Sequence, residues 1–244
     1  FSVVFSKYWD NGLDMSFGYA YTDAEDIMPM TASVANSNFT NLATWDINAP
    51  LPGKSNFEVP HRFTMQARYA KAFFGDYQTR FTLRGYSSEG QPGTYVMESS
   101  DLEGDGFFGR HLLYVPTGAD DPNVVFDSGF DQAAFFEWAA SQGLGAGFVD
   151  RNGTHAKWTT RFDLRVDQEF PLFGEFRGRA FMYIYNLGNL LNDDWGEVWD
   201  SQFFNQQVVN ASVNSSGQFV YERFRERDIN YFSQQRSLWE IRVG

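Results

Sequence analysis

Carboxylates set at short intervals are the first residues in this chain that could do chemistry. Asp101-Leu-Glu103-Gly-Asp105-Gly106 alternates three acids with spacers, and its glycines permit the sharp bend an oxygen cage around Ca²⁺ needs. An EF-hand is excluded, because Glu stands at loop position 3 and Leu112 stands where a bidentate Glu belongs. A looser, loop-stabilising Ca²⁺ site at Asp101, Glu103 and Asp105 is the metal reading that stays open beside a solvated acidic loop; no other cofactor is expected. The overlapping Gly104-x-Gly106-x-x-Gly109 lacks the strand, helix and βαβ unit of a dinucleotide site. The pairs Asp120-Asp121 and Asp193-Asp194 read as solvated loop residues. Cysteine is absent, and His61, His111 and His155 stand too far apart for a metal motif. No G-x-S-x-G, HExxH or P-loop occurs. The expectation is a protein that makes and breaks no bond.

Arginine is the other functional group in a pattern. Arg62, Arg68, Arg80, Arg84, Arg161, Arg165, Arg177 and Arg179 fall at alternating positions, interleaved with Asp163, Asp167 and Glu169. The intervening positions are apolar: Phe63, Met65, Ala67 and Tyr69; Phe81 and Leu83; Phe162, Leu164 and Val166; Ala180, Met182 and Ile184. Alternation of period two assigns strands with one greasy and one guanidinium-bearing face.

Seven such strands are expected, at 1–9, 13–22, 62–73, 77–86, 157–170, 176–185 and 236–244. Short turns join them at 10–12, 74–76 and 171–175. Long connections, 23–61, 87–156 and 187–235, join them at the other end. As assigned, the strands hold 13 basic and 5 acidic side chains, and the long connections hold 6 and 23. An arginine facing lipid near mid-membrane costs about 2–4 kcal/mol, so in a membrane the arginine face must look into an aqueous lumen. Aromatic rings bracket the short turns (Phe73, Phe74 and Tyr77; Phe170, Phe173 and Phe176), as interfacial girdles do. Within 87–156, a helix is expected over 131–141, with Phe130, Ala134 and Trp138 on one face. Trp195, Trp199, Phe203 and Phe204 in the last long loop read either as aromatics that meet a ligand by stacking or apolar contact, or as core packing of the loop. A formal net charge of −12 argues against nucleic acid as a partner.

Five segments carry a resemblance. NLGNLLN (186–192) resembles the conserved end of TonB-dependent outer-membrane receptors. SNFEVPHRF (55–63), LLYVPTGADDPNVVF (112–126), WTTRFDLRVDQEFP (158–171) and a final SLWEIRVG resemble, in that order, the Oar-like subgroup. The resemblance implies an all-β fold, a transmembrane antiparallel β-barrel of which residues 1–244 are about the last seven of 22 strands. The chain opens inside a strand without Met and stops in mid-alternation, so a longer receptor is expected around it. The resemblance also implies location in the outer membrane of a Gram-negative bacterium. The implied partners are outer-membrane lipid, a plug domain of the same protein, the TonB complex reached through a preceding segment, and other outer-membrane or surface proteins. The implied activity is energy-coupled passage of a substrate past the plug, with the lumen arginines docking the plug or contacting a polar or anionic ligand. Two alternatives stay open: a structural or adhesive outer-membrane β-protein or open porin, and a soluble carbohydrate-binding β-module, for which the 18% aromatic content argues.

Overall fold

In the computed structural model, which describes residues 1–98, 102, 106–202 and 205–244, the dominant element is a seven-stranded antiparallel sheet. Its strands are β1 (Ser2–Tyr8), β2 (Leu13–Tyr21), β3 (His61–Phe74), β4 (Tyr77–Ser88), β5 (Thr159–Pro171), β6 (Arg177–Tyr185) and β7 (Glu240–Val243). Each pairs only with its neighbours in sequence, an up-and-down meander. The sheet is open among the described residues: β1 and β7 are its edges and do not meet.

Turn chemistry fixes the short end. At Asp10-Asn11-Gly12 the Asn11 side chain accepts the Leu13 N–H (3.2 Å), and Gly12 takes φ +88°. A Cβ on Gly12 would also lie 2.2 Å from the Ala70 carbonyl oxygen, so only glycine fits. Register then fixes the faces, because a slip of one residue would exchange them. Phe17 pairs with Met65, Met65 with Gly85, Gly85 with Phe162; Leu83 pairs with Leu164, Leu164 with Ile184, Ile184 with Ile241. The apolar positions of all seven strands therefore form one continuous face. Gly85 makes room on it: a Cβ there would stand 2.6 Å from the Phe162 ring.

The last strand is shorter than its sequence suggests. Residues 234–237 form a helical turn, which Ser237 closes by donating its hydroxyl to the Ser233 carbonyl (2.8 Å). Arg236 therefore lies outside the ladder and pairs with Asp200 (2.6 Å).

The long connections are not structureless. Parts of 87–156 and 187–235 interlock in a second sheet, in the order Val124–Phe126, Phe219–Phe224, Asn205–Val213, Pro92–Glu98, Thr154–His155, with His111–Leu112 also on Pro92–Glu98. The helix Gln132–Ser141 packs against it, capped by the Asp131 carboxylate accepting the Ala134 N–H (3.0 Å). Its buried side is Phe135, Trp138 and Ala139, with Phe130 beside it, while Ala134 is only half-buried. This layer carries the hydrophobic core, including Tyr95, Met97, Leu113, Val208, Val209 and Tyr221. Period-two reading missed it because these strands belong to connections that cross one another, and two of the pairings are parallel.

Candidate functional site

The polar face of the seven-stranded sheet gathers the charged residues that the alternation picks out. Register places Arg62, Arg68, Arg80, Arg84, Arg161, Asp163, Arg165, Arg177 and Arg179 on this one side. Ion pairs run across and along it: Arg165–Asp167 (2.7 Å), Arg179–Glu169 (3.1 Å), Arg161–Asp163 (3.4 Å), Arg177–Glu169 (3.6 Å), and Arg68–Asp14 (2.5 Å). Rings of the same face cover guanidinium groups: Phe181 lies 4.6 Å from Arg165, and Tyr185 lies 5.0 Å from Arg242.

Five of these arginines converge. Arg68, Arg80, Arg84, Arg165 and Arg179, with Gln66, Thr82, Asp167 and Tyr183, line a concavity of about 300 Å³. Asp167 is 5% exposed and accepts two hydrogen bonds from Arg165, at 2.7 and 3.0 Å. Among the described residues, Arg80 and Arg84 have no carboxylate in ion-pair contact. Arg84 donates to the Gln66 side-chain oxygen (3.2 Å), and the buried Arg80 Nε has no hydrogen-bond partner. The concavity thus holds an uncompensated excess of positive charge, suited to carboxylate or phosphate oxygens. The alternation also puts Gln66, Thr82 and Tyr183 on the polar face, though only the charged positions are named from sequence as site residues; inter-strand register brings all of them together. Arg62, Arg161 and Arg177 share the face but lie outside the concavity.

Two of the segments that carry the resemblance, 186–192 and 55–63, supply asparagines that act as clamps at the loop end of the sheet. Asn186 follows β6 directly in the left-handed region (φ 52°) and is fully buried. Its N–H reaches Asp163 (2.7 Å), and its side-chain amide donates to the carbonyls of Gly196 (2.9 Å) and Ser237 (2.6 Å). Asn56, in the second segment, accepts from the side chain of Asn152, which also donates to the Lys54 carbonyl (2.7 Å) and receives Thr94 (3.1 Å). Arg151 donates to the carbonyls of Ile27 (3.0 Å) and Gly53 (2.9 Å), tying the first long connection to the second.

Asp121 corrects the reading of Asp120-Asp121 as a solvated pair. It is 5% exposed and accepts the N–H groups of Thr117 (2.8 Å) and Asn123 (2.9 Å) and the hydroxyls of Thr117 (3.0 Å) and Tyr114 (3.2 Å). These donors, the Thr117 N–H foremost, hold its carboxyl below the usual carboxylate range. Beneath it, the Tyr221 hydroxyl donates to the Tyr114 carbonyl, and burial raises the Tyr221 phenol far above its ordinary value. Burial, with Asp228 nearby, pushes Tyr95 up to about 12.

Trp195 and Trp199 do come together, with Trp158, around a cleft of about 320 Å³ at the loop end of the sheet. Phe203 and Phe204, and the proposed calcium ligands Asp101, Glu103 and Asp105, lie outside the described residues. Among the described residues no three His, Asp or Glu side chains are grouped to hold a metal ion. Comparison of the chain with protein-family models, with curated proteins and with solved structures gives no match.

Proposed function

We infer that this chain forms part of the wall of an outer-membrane β-barrel, and that the barrel is a TonB-dependent receptor that admits substrate past a plug. The observation that carries this reading is the continuous apolar face and its exposure. Phe17 is 50% exposed, Phe5 67% and Val243 76%, while the hydrophobic core lies elsewhere, in the layer of long connections. Exposed apolar patches on water-soluble monomers rarely exceed a few hundred Å². A face that spans seven strands matches lipid better than water.

Its dimensions agree. Rings cluster at the loop end (Tyr19, His61, Phe63, Trp158) and again near the short turns (Tyr69, Phe73, Phe81). Phe63 and Phe73 are ten positions apart on β3; at about 3.4 Å per residue and a tilt of about 40–45°, that separates them by about 25 Å, the height of an outer-membrane apolar band. Polar side chains on the apolar face keep to its two ends, with His61 and the Ser87–Thr160 pair (2.6 Å) at the loop end and the rest at the turn end. Lys7, Lys71 and the Thr79–Gln168 pair (2.5 Å) lie there, within reach of headgroups.

The opposite face then looks into the lumen. Backbone groups at the open edges of β1 and β7 cannot face hydrocarbon unpaired, so further strands must close the wall. Arg80 and Arg84 are the groups best placed to hold carboxylates of a plug. The folded layer of long connections forms the outer vestibule. Fractionation of cells producing the full-length protein tests this: it should sediment with outer membrane and require detergent for extraction. A monodisperse species in buffer without detergent would overturn the reading.

A further inference from the structure

The cleft at the loop end has a lining that neither the arginine face nor the strand pattern accounts for. Three indoles, Trp158, Trp195 and Trp199, surround it together with Phe162, Asp194 and Glu197, and no basic side chain lines it. Among the described residues Trp195 contacts no other ring, and it is 56% exposed. Glu197 is held in place by the Trp199 indole N–H (3.1 Å). Neither Asp194 nor Glu197 has an ion-pair partner among the described residues. Trp199 already carries one cation: the Lys157 ammonium stands 4.1 Å from its ring centre.

Indole faces attract cations through the ring quadrupole, and aromatic cages are the usual recognition device for quaternary ammonium groups. The two carboxylates add matching charge and disfavour an anion or a wholly apolar guest. The volume, about 320 Å³, suits a small headgroup. The geometry points to this cleft as a binding site for an alkylammonium group, held by Trp158, Trp195 and Trp199 and matched in charge by Asp194 and Glu197. The inference stands on the cleft itself and goes beyond the transport reading. Trp158 and Phe162 bear the positions of the apolar face, so in a membrane the cleft opens at headgroup level. The ammonium can then come from an ethanolamine lipid or from a soluble amine.

Choline, titrated into the detergent-solubilised full-length protein at constant ionic strength with indole fluorescence as readout, tests this, with the neutral isostere 3,3-dimethyl-1-butanol as comparison. Choline should saturate, and the isostere should bind about tenfold more weakly. Trp195→Ala should weaken choline about tenfold. Asp194→Asn with Glu197→Gln should weaken choline similarly and leave the isostere unchanged, a readout that loss of folding would not give. Equal binding of the isostere, no saturable choline signal, or an unaltered W195A variant would overturn the proposal. Nanodiscs then separate the two sources. If ethanolamine lipid, but not phosphatidylglycerol, competes with choline, the ligand is the lipid. If neither competes, it is a soluble amine. Failure of the cleft to bind choline leaves the outer-membrane reading standing, since fractionation tests that separately.

Discussion

Replacing Leu83 with arginine puts the assignment of faces under direct load. Leu83 lies near the middle of β4 and pairs with Ala67 on one side and Leu164 on the other, both on the apolar face. If that face meets lipid, a guanidinium there is near mid-membrane and costs about 2–4 kcal/mol. At 1.4 kcal/mol per factor of ten, that lowers the folded-to-unfolded ratio by about 30- to 700-fold. The control is the adjacent residue on the other face. Thr82 pairs with Arg68 and with Arg165, so the charge to place there is a carboxylate. Thr82→Glu gains about 0.2–1 kcal/mol per cross-strand pair in an aqueous lumen. Urea titration of the full-length protein refolded into lipid vesicles, with heat-modified mobility on gels as the index of folding, measures both. The reasoning is refuted if Leu83→Arg lies within about 0.5 kcal/mol of wild type, or if Thr82→Glu is the more damaging change.

Acid should loosen the layer of long connections through Asp121. Its lowered pKa means that its contribution is complete above the ordinary carboxylate pKa and is lost as pH falls through the folded value; Asp121→Asn should remove that acid sensitivity, read by hydrogen exchange across 112–126. Tyr221→Phe leaves the half-buried Tyr114 carbonyl without this donor and should cost about 1 kcal/mol in the same region, with the seven-stranded sheet unchanged. Ultraviolet titration of tyrosinate should show one phenol ionising near pH 12 that disappears in Tyr95→Phe; the neutral form is favoured by folding, so its stabilisation is present below the ordinary phenol pKa of about 10 and is lost as pH rises through the folded value. Asn186→Ala removes two side-chain hydrogen bonds and places a residue with a Cβ but no local polar group at φ 52°, so it should cost about 2–3 kcal/mol by thermal denaturation.

The sheet was legible in the sequence because five of its strands obey a two-residue period over nine positions or more and short glycine-bearing turns join the hairpins. The strand limits differ by a residue or two, except at Arg236, where a helical turn fixed by Ser237 replaces the expected alternation. The arginine positions were legible for the same reason, since a known period decides which side each shares. The concavity was not. Which guanidinium groups converge depends on inter-strand register, and alternation within one strand carries no register. The second sheet was hidden because its pairings join connections far apart in sequence, such as Pro92–Glu98 with Asn205–Val213. Burial of Asp121 was hidden too, since its donors at Thr117, Asn123 and Tyr114 are ordinary loop residues until the turn closes.

These 244 residues hold no cysteine, so single-cysteine variants at 81, 82, 83 and 84, in full-length protein with any cysteine elsewhere replaced by serine, carry one spin label each in lipid. Collision rates with oxygen, which concentrates in hydrocarbon, and with a water-soluble nickel chelate give the most direct reading of which face meets which medium. Labels at 81 and 83 should favour oxygen and those at 82 and 84 the chelate, with a period of two. Equal access of the chelate to all four positions would contradict a lipid-facing apolar wall.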